Sequence, residues 1–95
     1  MSLLRFSFLD GDDREAVEAD VTLAIFASEC VFGKSRVRLE ASYTVAPDGS
    51  HCVLRIGGES GEAAARIFTG LISVRRGETN FTVQRLPEEE PAGRT

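Results

Sequence analysis

Apolar and polar residues alternate at the start of the chain, as they do in a half-buried strand. Residues 3–9, LLRFSFL, place a leucine or phenylalanine at every second position, with Arg5 and Ser7 between them. Because successive side chains of a strand point to opposite faces, this segment is predicted to bury one face in a core. Residues 10–13, DGDD, follow it, and glycine and aspartate favour a turn there.

Two patterns compete over residues 14–33, REAVEADVTLAIFASECVFG. Apolar residues alternate with acidic or polar ones over 15–22, which favours a strand paired with the first as a hairpin, followed by a short helix over 23–33. The alternative is one long helix, because Asp12 and Glu15 have the spacing of a capping box. We favour the strand and short helix, because the long helix would be apolar on two opposite sides. One side would carry Val21, Ile25 and Phe32, and the other Leu23, Phe26, Ala27 and Cys30.

Residues 35–46 and 51–57 alternate again and are predicted to form a hairpin. The loop between them, 46–50, has the sequence APDGS, in which proline fixes φ and glycine permits a positive φ. One side of the first strand would carry Val37, Leu39, Ala41, Tyr43 and Val45, and the other Arg36, Arg38, Glu40, Ser42 and Thr44. In the return strand, Cys52, Leu54 and Ile56 alternate with His51, Val53 and Arg55.

The clearest helix pattern follows, from Ser60 to Arg76. Ser60 is predicted as the N-cap, Glu62 lies in the first turn where a negative charge is favourable, and Gly77 is a natural stop. Apolar residues recur at three- and four-residue spacing, which predicts a core-facing stripe of Ala64, Ile67, Phe68 and Leu71. Residues 80–86 alternate once more and are predicted to form the last strand.

These elements predict a protein of the α+β class. Each element has one apolar face, so we expect a two-layer sandwich in which two helices cover one face of a mostly antiparallel sheet of four to five strands. With the long helix the plan is ferredoxin-like, and with the extra strand it is a variant with an N-terminal hairpin. Residues 1–86 are predicted to form one domain. Residues 87–95, with two prolines and three consecutive glutamates, are predicted to be a disordered tail.

The charge balance restricts the classes of partner. The 95 residues carry a formal net charge of -4 and a pI near 4.9, which disfavours binding to nucleic acid or to anionic membranes. The longest apolar stretch, LAIFASECVF, is too short and too polar to span a bilayer, and the first residues show no signal-peptide pattern. We therefore expect a cytoplasmic protein with reduced thiols. Cys30 and Cys52 do not form a CxxC pair, and Cys30 is predicted to be buried and inert on an apolar stripe.

No residue pattern indicates a metal site, a cofactor or a catalytic centre. His51 is the single histidine, and the DGDD segment leads to Arg14 and Glu15 where a calcium loop needs an oxygen ligand and a glycine. Gly57 and Gly58 precede the second helix as in phosphate-binding turns, but the glutamates that follow would repel a phosphate. We therefore predict no cofactor and favour a protein that is not an enzyme.

The predicted open face of the sheet is the candidate binding surface. Arginine forks suit carboxylates, and we assign partner binding to Arg5, Arg36, Arg38 and Arg55. The first hypothesis is a small interaction module that docks a protein or peptide, or a second copy of itself as a homodimer, through this face or an edge strand. The alternatives are a small-ligand-binding protein or enzyme of unknown chemistry, and an accessory subunit that presents a peptide to a larger enzyme as an added strand.

Overall fold

Four strands and three helices make up the part of the chain that the computed structural model describes, residues 2–9, 14–77 and 79–87. In chain order they are β1 (Ser2–Phe8), α1 (Arg14–Phe32), α2 (Lys34–Glu40), β2 (Ala41–Val45), β3 (His51–Ile56), α3 (Gly58–Arg76) and β4 (Phe81–Pro87). The strands form one antiparallel sheet in the order β2-β3-β1-β4. The predicted α+β class is therefore confirmed. The number of strands, four, lies within the predicted range, and there are three helices where two were predicted.

The predicted strand over 15–22 is wrong, because α1 runs without a break through the whole stretch. The side of α1 that faces the core carries Val17, Val21, Ala24 and Ser28, spaced three or four residues apart. The opposite apolar side does exist, and the fold leaves part of it exposed. The predicted turn at 10–13 and its capping residue lie outside the described residues.

Helix α2 replaces the first half of the strand predicted over 35–46. Gly33, with φ of +94°, separates α2 from α1, and α2 then makes two turns before the chain becomes extended at Ala41. The sequence KSRVRLE is rich in lysine, arginine, leucine and glutamate, which favour helix. As a result Val37 is buried while Leu39, predicted to face the same way, is 78% exposed.

Both helical connections cross over a strand of the sheet. β1 and β2 each pair antiparallel with β3, so they run parallel to one another with β3 between them. By the same logic β3 and β4 run parallel on either side of β1. Helices α1 and α3 pack together on one face, and the core between the two layers is centred on Phe6 and Phe68, whose ring centroids lie 4.8 Å apart in an edge-on arrangement.

A buried carboxylate ties α1 to the C-terminal end of α3. The Asp20 side chain is almost fully buried, and its oxygens contact Arg75 Nε at 2.8 Å and Arg76 Nη1 at 3.1 Å. The Arg76 guanidinium also lies over the ring of Phe8, 5.3 Å from its centroid. Asp20 therefore belongs to the interior, and not to the solvated side of a strand.

The boundaries of α3 and β4 differ from the predicted ones by a few residues. α3 begins at Gly58 with Gly57 as N-cap, so Ser60 is not the capping residue, whereas the predicted stop at Gly77 is confirmed with φ of +86°. β4 includes Pro87, the first residue of the predicted tail. The rest of that tail, 88–95, lies outside the described residues.

Candidate partner-binding surface

The four arginines predicted to share one surface lie in two separate places. Arg5 on β1 and Arg55 on β3 are exposed on the face of the sheet that the helices leave open. Arg36 and Arg38 lie on α2 instead, so their predicted position on the open face is wrong. The misplacement follows directly from α2, because a helix turns these two side chains in different directions from those of a strand.

Arg36 makes its contacts inside the domain. Its Nε lies 3.5 Å from a carboxylate oxygen of Glu40, and its Nη2 lies 3.6 Å from one of Glu59. The guanidinium carbon is also 5.2 Å from the ring centroid of Phe32 at the end of α1. Arg36 thus helps to hold α2 against the two long helices.

The open face of the sheet mixes arginine with aliphatic side chains. The register places Arg55 opposite Leu3, which faces Leu86 on its other side. In the next row Arg5 lies opposite Val53. Within the described strands this face presents no phenylalanine or tyrosine, so it lacks the stacking platforms that single-stranded RNA needs.

Another apolar surface lies on the helical side of the sheet, between α1 and β2. Here a shallow groove of about 650 Å³ is formed around Leu23, Phe26 and Tyr43, with Glu15 and Glu18 towards the N-terminal end of α1. We call it the α1–β2 groove. Leu23 is 45% exposed and Phe26 is 59% exposed, which is unusual for two large apolar side chains that lie one turn apart on the same side of a helix.

The sequence pattern predicts an apolar stripe of Leu23, Phe26 and Cys30 but places it against the core. Leu23, Phe26 and Cys30 do lie along one side of α1, but that side faces outward and Cys30 is exposed. The predicted burial of Cys30 is therefore wrong. The buried thiol is Cys52 on β3, and burial raises the pKa of that thiol to about 12.

Strand β2 forms the edge of the sheet beside this groove. The Gly57 N–H donates to the Glu40 carbonyl at 2.8 Å and the Ala46 N–H donates to the His51 carbonyl at 2.9 Å. Because backbone groups alternate in direction along an antiparallel pair, those of Tyr43 point away from β3. No other described strand pairs with that outer side of β2, so the edge and the groove adjoin.

The opposite edge of the sheet has a different character. A second hollow of about 490 Å³ lies between α3 and β4. An ion pair crosses it, with Arg85 Nη2 of β4 lying 3.3 Å from Glu62 Oε1 of α3. Val83, the exposed apolar residue of β4, lies two residues before that arginine.

The glycine turn that resembled a phosphate-binding turn is filled by a carboxylate of the chain itself. Glu40 Oε1 accepts hydrogen bonds from the Ser60 hydroxyl at 2.5 Å and from the Ser60 N–H at 3.1 Å. The hydrogen bond from the Ser60 hydroxyl is the main cause that lowers the pKa of Glu40. A side chain on Gly58, which has φ of +70°, would clash with this carboxylate. The first turn of α3 therefore already holds its anion.

The part of the chain that the structure describes contains neither a metal-binding cluster nor a membrane-spanning helix. Among residues 2–9, 14–77 and 79–87, no three or more histidine, cysteine, aspartate or glutamate side chains are placed to hold a metal ion. In the same residues, every helix is too short or too polar to cross a membrane. The chain matches no protein-family model and no curated protein.

Proposed function

We propose that the protein is a small, non-enzymatic interaction module that binds an extended segment of a protein partner at β2 and in the α1–β2 groove. The observation that carries this proposal is the pair Leu23 and Phe26, half exposed beside an edge strand whose outer side pairs with no described strand. Covering one such side chain fully would contribute roughly 2 kcal/mol to binding.

The geometry of β2 explains why the partner segment would be extended. A strand added beside β2 would hydrogen-bond to the outward backbone groups of Tyr43, as in other cases of strand addition. Since side chains of a strand alternate, every second residue of that segment would project towards Phe26 and Leu23. The backbone would supply part of the affinity and the groove would supply the selectivity.

The arginines of the open sheet face support a second candidate surface. Arg5 and Arg55 are exposed, and each lies opposite an aliphatic side chain, Val53 or Leu3. This face would suit an acidic partner or a second copy of the chain. It ranks below the α1–β2 groove because its apolar residues are smaller and half-buried.

The finer description of the fold belongs to the same proposal. We assign the domain to the ferredoxin-like plan, with α2 as an addition between α1 and β2. The order strand, helix, strand, strand, helix, strand and the two crossovers that each enclose one strand support the assignment. A cytoplasmic location fits the two free thiols.

The test is a selection from a random peptide library displayed on phage, followed by calorimetric titration of the enriched peptides. We expect these peptides to bind the unmodified protein and to lose at least about tenfold in affinity with the double variant Leu23→Ser and Phe26→Ser. Val74→Ser removes a more exposed apolar side chain from α3, away from the groove, and should leave binding unchanged. A library that yields no binder, or binders indifferent to the double variant, would overturn the proposal.

A further inference from the structure

We infer that the segment bound in the α1–β2 groove is basic as well as apolar, with a large apolar side chain and a lysine or arginine on the same face of the added strand. This inference rests on the proposed function. It concerns the chemistry of the partner and follows from the charges around the groove, which are independent of its apolar residues.

All of the charge that lines the groove is negative. Glu15 and Glu18 are the charged side chains among its lining residues, and they stand on the same helix as Leu23 and Phe26. The formal net charge of -4 adds a long-range field of the same sign. A cationic side chain that approaches along α1 therefore meets favourable potential, and an anionic one meets repulsion.

The spacing of these residues along α1 sets the pattern in the partner. With a rise of about 1.5 Å per residue, the backbone of Glu18 lies about 12 Å along the helix from that of Phe26. A strand covers that distance in about four residues, and an even number keeps both side chains on one face. The expected partner thus carries its basic residue two to four positions from its apolar anchor, at an even spacing.

Two other occupants fit the groove less well. A second copy paired groove to groove would present the same acidic lining, which offers no positive charge to Glu15 and Glu18. Residues 88–95 of the chain itself follow β4, which lies at the sheet edge opposite β2. That segment contains three glutamates and no large apolar residue, so it matches neither the charge nor the apolar floor.

The test uses two synthetic nine-residue peptides with blocked ends. Both have phenylalanine at the centre, valine two positions to either side and threonine between. One carries lysine at both ends and the other carries glutamate. Each is titrated into the full-length, ¹⁵N-labelled protein, and the amide shifts give both the affinity and the binding surface.

We expect the lysine peptide to bind about tenfold or more tightly than the glutamate peptide, with the largest shifts at Phe26, Leu23 and Tyr43. Added salt should reduce the difference in affinity between the two peptides, because it screens charges at the protein surface. Glu18→Lys should weaken the lysine peptide about fivefold, as expected for one exposed ion pair. Glu29→Lys makes the same charge change on α1 away from the groove, and it should change the affinity for the lysine peptide far less.

The possible failures are distinguishable. Equal affinity for the two peptides, with shifts in the groove, would overturn the inference about charge and leave the proposed function standing. Shifts confined to another surface, or no binding by either peptide, would overturn both. A dimer in light scattering whose groove amides change on dilution would show that a second copy is the occupant, which would also overturn the inference.

Discussion

The two edges of the sheet are built from equivalent parts and finished differently. Each consists of an outer strand beside a helix of 19 residues, β2 with α1 and β4 with α3. On β4, Arg85 lies on the helix-facing side and its guanidinium reaches Glu62 of α3. On β2, the sequence ASYTV has no charge, and the helix beside it presents Leu23 and Phe26.

Only one of the two edges carries features that discourage strand pairing. Proteins commonly protect an exposed sheet edge with an inward-pointing charge, a proline or a bulge, because an unprotected edge recruits other strands. β4 has such a charge in Arg85 and a proline at its last residue, Pro87. β2 has neither within its five residues. The two edges therefore differ in whether another strand can pair with them, and the open one is the edge at which we propose that the partner binds.

The largest expected effect comes from the contact that joins the two helices lying beside these edges. Asp20→Ala would leave Arg75 and Arg76 without their shared carboxylate between α1 and α3. We expect the free energy of unfolding, measured with urea, to fall by on the order of 3 kcal/mol, because a nearly buried ion pair loses one partner. Glu18→Ala, a change at a partly exposed residue of the same helix, should cost less than about 0.5 kcal/mol. Equal costs in the two variants would contradict the role of Asp20.

The next prediction compares the outward-pointing backbone N–H groups of the two edge strands. Proline at position 43 or 83 removes one N–H that points outward from the sheet, so each strand keeps its hydrogen bonds to the neighbouring strand. Tyr43→Pro should weaken binding of the lysine peptide about tenfold, since a backbone hydrogen bond and the strand fit are lost. Val83→Pro should leave the affinity unchanged. Tyr43→Ser, measured beside them, separates loss of the ring from loss of the N–H.

A smaller effect is expected at Glu40, the residue that directly precedes β2. Hydrogen bonds from Ser60 lower the pKa of Glu40, so the folded state favours the charged carboxylate. Its contribution to stability is present above the ordinary carboxyl pKa of about 4.3 and is lost as the pH falls through the lower folded value. Glu40→Gln should therefore lower the Tm at neutral pH and flatten its decline towards pH 3. Glu59→Gln is the exposed control, and a Tm difference that does not change with pH would contradict the prediction.

The smallest expected effect tests protection at the β4 edge. Arg85→Val removes an exposed ion pair, so the free energy of unfolding should change by about 0.5 kcal/mol or less. The same variant makes this edge resemble β2, and light scattering over a concentration series should then show more self-association. An unchanged mass at every concentration would mean that Arg85 does not protect the edge.

Local patterns predicted the parts of the fold whose own alternation or turn residues fit a single kind of element. Strand β1, the loop at 46–50 and the end of α3 at Gly77 all followed from alternation or from glycine chemistry. Helix α1 did not, because its two apolar sides imitate the alternation of a strand over 15–22. Helix α2 did not either, since its last residue, Glu40, gains its hydrogen bonds from a helix that begins 18 residues later.

The candidate site was predictable in part. The stripe of Leu23, Phe26 and Cys30 was visible in the sequence, but its exposure depends on how deeply α1 docks against the sheet and α3. Nothing in the local pattern distinguishes a stripe that faces a core from one that faces a partner. Tyr43 lies beside that stripe because the sheet order places β2 at an edge, next to α1.

The position of β1 in the middle of the sheet has a consequence for how the protein is made. β1 leaves the ribosome before both of its neighbours, β3 at His51–Ile56 and β4 at Phe81–Pro87. Its apolar side chains, Leu4 and Phe6 among them, pack beside residues of β3 and β4 that are synthesised about 50 and 80 residues later. The sheet cannot be completed until β4 has emerged, so the apolar face of β1 lacks its full set of strand partners while residues 9–80 are synthesised, and a chaperone would protect it in that interval.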